Sequence, residues 1–199
     1  MKRIILSLFF ALSFSLYSKD IKLTESSNQF LITNKSLSEF TFVNHLSDLS
    51  VIRIKKDNNE FFKLYVTGYG ENAEYGNASL PVLEDLVRVP FGSKIIVEVL
   101  NSEQKTIKLD EHGINNFLFP SQPSISKSDN AQEVPFYFNE EYYKYDDFHV
   151  ADLIKTELLG KMRGQQLARI SISPFQYNPI SNELKVITRL EAKITFKDI

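Results

Sequence analysis

Apolar and polar residues alternate with a period of two along most of the chain. The clearest stretch is the last, where Leu184, Val186, Leu190, Ala192, Ile194 and Phe196 fall on one face and Lys185, Arg189, Glu191 and Lys193 on the other. Shorter versions occur at Phe40 and Phe42, at Ile52 and Ile54 (against Val51 and Arg53), and at Phe62, Leu64 and Val66. Ile95, Val97 and Val99 repeat it, as do Ala168, Ile170 and Ile172. Successive strand residues point to opposite faces, so this pattern predicts antiparallel strands with one face buried and the other wet. Turn-forming clusters at residues 56–59, 68–76, 91–93 and 178–182 separate the runs. Several short strands so spaced predict an all-β fold, an antiparallel, jelly-roll-like β-sandwich. Residues 152–162 are ambiguous: Leu153, Ile154, Leu158 and Leu159 have near-helical spacing, while Gly160 and Gly164 weaken a helix. The long polar stretch at 120–133, PSQPSISKSDNAQE, is expected to be an exposed loop.

The N-terminus follows a different rule. Lys2 and Arg3 precede an apolar run over residues 4–17, and the small residue Ser18 follows it. A charged start, a short apolar stretch and a small residue describe a secretory signal. A membrane span needs about 20 apolar residues, and Lys19 and Asp20 end the run early. The expectation is a signal peptide over 1–18 and one domain over 19–199, exported to the periplasm, the cell surface or the medium. No stable membrane insertion is expected.

Charge and composition narrow the chemistry. The chain has 199 residues, with 23 basic against 25 acidic residues, a formal net charge of −2. A nucleic-acid binder would need a basic excess, so none is expected. Cysteine is absent, which removes disulfides, thiolate metal sites and a cysteine nucleophile. The three histidines, His45, His112 and His149, lie far apart in sequence, each in a polar context that reads as surface or turn. The sequence has no nucleophile elbow, no His-Glu-x-x-His pair and no phosphate loop. Asp146-Asp147 and Glu140-Glu141 read as solvated turns. No catalysis, cofactor or metal is expected. The aromatics Phe136, Tyr137, Phe138, Tyr142, Tyr143 and Tyr145 admit two readings. Alternate rings bury on a sheet face and line an interface, or they stack on sugar rings of a carbohydrate or surface ligand.

Two further segments carry a resemblance. One is Gly76-Asn77-Ala78-Ser79-Leu80-Pro81-Val82-Leu83, followed by Leu86-Val87-Arg88-Val89-Pro90. The other runs from Met162-Arg163-Gly164-Gln165 through Ile172-Ser173-Pro174 to Phe175-Gln176-Tyr177-Asn178-Pro179 and the strand from Leu184. Together they resemble the N-terminal propeptide of gingipain-type cysteine peptidases, the C25 group exported by the type IX route of Bacteroidota. The likeness spans residues 25–197, and Ala78 stands where the family often has Pro. It implies a β-sandwich that keeps a C25 cysteine peptidase latent and assists its folding. The peptidase it implies is joined in cis in a longer precursor or acts in trans. It also implies a basic side chain, on a propeptide loop, that enters the protease specificity pocket. Lys127 falls at that position, flanked by Ser126 and Ser128, within the polar stretch already noted. The residue-level alternative is an ordinary solvated lysine. Arg163 is a secondary contact candidate; the alternative is a tight turn enabled by Gly164, with Arg163 paired to a carboxylate. A structural domain of the secretion machinery is a third reading.

Overall fold

The structure, a computed structural model, describes residues 18–56, 58–71, 74–124 and 134–198. The expected leader therefore lies outside the described residues, except for Ser18. The strands are β1 (Ser18–Lys22), β2 (Gln29–Thr33), β3 (Glu39–His45), β4 (Asp48–Lys56), β5 (Asn59–Tyr65), β6 (Gly70–Glu71) and β7 (Pro81–Val89). After β8 (Ser93–Lys108) come a single 3-10 turn, Asp110–His112, and the short helix α1 (Glu140–Lys144). The chain then forms β9 (Ile154–Met162), β10 (Gln165–Ile172), β11 (Phe175–Asn178) and β12 (Glu183–Asp198).

β12 organises the molecule. Its 16 residues, at about 3.4 Å each, span about 50 Å. Every even position from Leu184 to Phe196 is buried, including Thr188, the one polar member of the set. One edge of β12 pairs with β8 from Glu183↔Lys108 to Asp198↔Ser93. The other edge is shared between β11, at residues 183–186, and β3, at 189–195, with β2 outside β3. Two smaller sheets, β1-β4-β5 and β6-β7-β10-β9, complete the fold. All pairings between these strands are antiparallel.

The result is two sandwiches that share one sheet. Over the first half of β12, Leu184 and Val186 pack with Ile21, Val51, Phe62, Leu64, Phe175 and Tyr177. Over the second half, Leu190, Ala192, Ile194 and Phe196 pack with Phe40, Phe42, Val89, Ala168, Ile170 and Ile172. Between the two lies a polar seam. Buried Asn44 accepts a hydrogen bond from the Tyr69 hydroxyl at 3.0 Å, and the Thr188 hydroxyl donates to the Glu103 carbonyl at 3.3 Å.

The antiparallel all-β architecture is as the alternation predicts, and several details differ. Residues 154–162 are a strand, β9, not a helix. It is an edge strand with a bulge that skips Leu159, since Ala168 faces Leu158 while Leu167 faces Gly160. An edge with little cover leaves Leu158 and Leu159 exposed, which is why their spacing is ambiguous. Val99 is also exposed, and Ile95 and Val97 are half-buried, because β8 is the outer strand of its sheet. On β4, Leu49 and Val51 enter the core while Ile52 and Ile54 are half-buried. Tyr142 and Tyr143 are not on a sheet: both are buried side by side on α1. His149 is half-buried, its ring stacked 3.6 Å from that of Tyr142.

Candidate functional site

Lys127, Ser126 and Ser128 lie within 125–133, outside the described residues. The two legs that carry this segment are described, and they are held close together. The first leg, Phe119 to Gln122, is not the exposed loop its polarity suggests, for Pro120 and Ser121 are buried. Its partner is the second leg, Phe136 to Asn139.

Three devices join the legs. The side-chain amide of Gln122 imitates a peptide group. Its Nε2 donates to the Tyr137 carbonyl at 2.8 Å, and its Oε1 accepts from the Tyr137 N–H at 3.0 Å. Below it, Gly76 and Asn77 form a strip between the legs. The Gly76 N–H donates to the Ser121 carbonyl at 2.9 Å, and the Gly76 carbonyl accepts from the Asn139 N–H at 3.0 Å. The Ser121 N–H returns to the Asn77 carbonyl at 2.8 Å, and Asn139 Nδ2 donates to Asn77 Oδ1 at 2.8 Å. Finally, Phe119 and Phe136, one from each leg, meet on buried Phe61 and on each other, with ring centroids 5.7–5.8 Å apart.

This strip explains the glycine of the first resembling segment. Gly76 has φ +88°, and a Cβ there would sit 3.0 Å from the Asn139 nitrogen. Only glycine takes that backbone without strain and lets the second leg approach so closely. Asn139 then caps α1, its Oδ1 accepting from the Tyr142 N–H at 3.2 Å. The helix in turn buries Tyr143, whose hydroxyl donates to the Leu118 carbonyl at 2.6 Å while its ring stacks on Phe138 at 4.4 Å. Burial pushes the Tyr142, Tyr143 and Tyr177 hydroxyls well above the usual phenol range. The Tyr143 hydroxyl acts as a hydrogen-bonding core group, and with Tyr142 and Tyr143 buried no stacking platform is made of Tyr142, Tyr143 and Tyr145 together.

Arg163 is placed elsewhere. With φ +52°, and Gly164 at +78°, it forms the two-residue turn between β9 and β10, in which Met162 faces Gln165. Two positive φ values make this a type I′ hairpin. The tight turn expected at Gly164 is present. The carboxylate partner is not, since Arg163 is exposed and makes no ion pair among the described residues. The described legs border the first core, while Arg163 borders the second. Gln122 escaped the sequence reading because an isolated polar residue in a polar stretch gives no sign of a peptide-like pairing. Metal-ligand clusters are absent among the described residues.

Comparison with known proteins agrees with this fold. A family model, Propeptide_C25, matches residues 19–199. Lys-gingipain of Porphyromonas gingivalis is 30% identical over 180 residues, which cover 90% of this chain and 10% of that protein. Gingipain R1 of Porphyromonas gingivalis is 25% identical over 125 residues, 62% of this chain and 12% of its own length. The chain thus spans about a tenth of the curated relatives it matches. Among solved structures, one described as "Structural insight into zymogenic latency of gingipain K from Porphyromonas gingivalis" superposes with a TM-score of 0.86 at 30% identity. It covers 92% of this chain and 100% of that one. A second, "Complex of Porphyromonas gingivalis RgpB pro- and mature domains", gives 0.72 at 19% identity over 85% of each chain, and speaks to the fold alone. With the family model matched from residue 19 to 199, the chain belongs to the Propeptide_C25 family.

Proposed function

We propose that this domain keeps a C25-type cysteine peptidase latent by offering it the loop between the clasped legs, with Lys127 as the side chain that enters the specificity pocket. The supporting observation is the clasp. An inhibitory loop binds tightly when its ends are already fixed, because less chain entropy is lost on docking. Here Gln122, the Gly76-Asn77 strip and the phenylalanine triangle hold the ends before any partner arrives. The likeness to the gingipain K structure, described in terms of zymogenic latency, points the same way. The domain would also assist folding of its peptidase, joined to it in one precursor or acting as a separate chain, after export behind the leader at 1–18. Catalysis is left to that partner, since this sequence holds no cysteine to serve as its nucleophile.

The test is an inhibition titration of residues 19–199 against a C25 peptidase on lysine and arginine substrates, wild type beside Lys127→Ala. Both cores draw all their residues from 21–196, so this stretch contains its own folding unit. Removing a desolvated, charge-paired anchor costs on the order of 2–5 kcal/mol. The expected result is inhibition weakened at least about tenfold, roughly 1.4 kcal/mol. Inhibition untouched by the substitution would move the anchor away from Lys127, and no inhibition by the wild type would sink the latency reading.

A further inference from the structure

The end of the molecule where β12 leaves its sheet has a different chemistry from the rest. Three turns meet there. The β2–β3 turn touches β12 through the Phe196 N–H, which donates to the Ser38 carbonyl at 2.7 Å. The β7–β8 turn adjoins it through the Ser93↔Asp198 pairing. The β9–β10 turn reaches the β7–β8 turn by placing Lys161 Nζ 4.0 Å over the Phe91 ring. Each turn carries a large apolar residue facing solvent: Leu37 is 93% exposed, Phe91 74% and Met162 61%.

Cations surround these tips. Lys35, Arg88, Lys94, Lys161, Arg163 and Lys197 are all exposed, and none has an ion-pair partner among the described residues. Ion pairs among the described residues engage other cations, as in Lys63–Glu71 and Arg189–Glu191. The nearby acid Glu39 is occupied by Lys193 at 2.8 Å, and Glu98 faces Lys193 across the ladder. Lys94 and Lys197 face each other across the last rungs of β8 and β12, a like-charge pair that costs stability. Guarding the exposed edge of β8 against aggregation would need Lys94 alone. It would require neither Lys197 opposite nor apolar tips on three turns. In a chain of net charge −2, this concentration leaves the rest of the surface acidic.

We propose that this end is a docking surface for an anionic phospholipid bilayer, with Leu37, Phe91 and Met162 entering the headgroup boundary and the six cations meeting lipid phosphates. Charge complementarity names the partner's sign, and the placement of the apolar residues favours a bilayer. They stand on three separate turns instead of lining one shape-matched groove. Mobile lipid headgroups can meet charges spread that way, and apolar tips gain by leaving water at the interface. The contact is peripheral, made by exposed residues on and beside three turns; no helix among the described residues is long and apolar enough to cross a membrane. It lies at the opposite end of β12 from the turn at 179–182, and it is independent of the latency reading.

Flotation of residues 19–199 with vesicles of phosphatidylcholine alone, or mixed equally with phosphatidylglycerol, tests this directly. The 1–18 segment is omitted because its own apolar run would bind lipid. Wild type should float with the anionic vesicles only. Lys197→Glu places a carboxylate opposite Lys94, so its Tm should rise or hold while vesicle affinity falls at least about tenfold. Phe91→Ser combined with Met162→Ser should weaken binding similarly at unchanged Tm. The proposal is overturned by no flotation with anionic vesicles, by equal flotation with neutral ones, or by binding that ignores Lys197→Glu. A loss of peptidase affinity in Lys197→Glu, with vesicles unbound throughout, would make this end a protein contact instead.

Discussion

The two cores that share β12 are built from different materials. The first contains three buried tyrosines, Tyr142, Tyr143 and Tyr177, beside its aliphatic residues. The second contains none; its buried members are Phe40, Phe42, Phe196 and aliphatic residues such as Val89, Ile170 and Leu190. The difference follows from what each core covers. In the second, the buried backbone belongs to strands, and the ladders pair its N–H and C=O groups. The first also holds the irregular segments around 114–124 and 134–149, whose carbonyls have no ladder. Tyr143 supplies the missing donor to Leu118, and Asn182 supplies one to the Ile114 carbonyl at 2.6 Å. Polar groups enter a core here because loops do.

That contrast can be broken most forcefully from the second core. Phe42→Ala empties a site at 0% exposure and should cost about 3–5 kcal/mol in chemical denaturation. Inhibition per folded molecule should stay unchanged, because the clasp belongs to the first core; a larger loss would show the two cores to be one energetic unit. Gly76→Ala works from the other side. Its positive φ and its close approach to Asn139 predict a loss of about 1–3 kcal/mol. Here weakened inhibition should accompany the lowered Tm, and full inhibition would show that the strip does not position the loop. The smallest effect is alkaline. The three phenols have folded pKa values above their unfolded value of about 10. As pH rises past about 10 the unfolded chain gives up these protons first, so stability falls with rising pH. Tyrosinate absorbance from these residues should appear together with unfolding. Amide exchange should show the first core opening before the second, and simultaneous opening would erase the distinction.

Legibility in the sequence followed the same division. β12 could be read because one face is covered along its whole length, which enforces period two; Thr188 was passed over only because it is polar. β9 could not, since an uncovered edge strand places no demand on either face and its bulge at Leu159 resets the spacing. The Arg163-Gly164 turn was legible from local chemistry. The clasp was half legible: resemblance singled out the segment containing Gly76 and Asn77, while its bonds to Ser121 and Asn139 join positions distant in sequence. Arg163 showed its turn but not its unpaired state, because missing partners are a property of three-dimensional neighbours.

β12 has a further consequence for the order in which the domain becomes structured. β3 pairs with residues 189–195, about 150 positions later, and β8 must also wait for the final strand. Neither core can close until that strand is in place. Contacts so distant along the chain make folding slow, because their loop-closure entropy is lost before any packing repays it. The sheet β1-β4-β5 and the β9–β10 hairpin can pair before β12 is in place, since their strands all precede it. The domain acquires both of its packed halves in one late step, when β12 enters between β8 and β3.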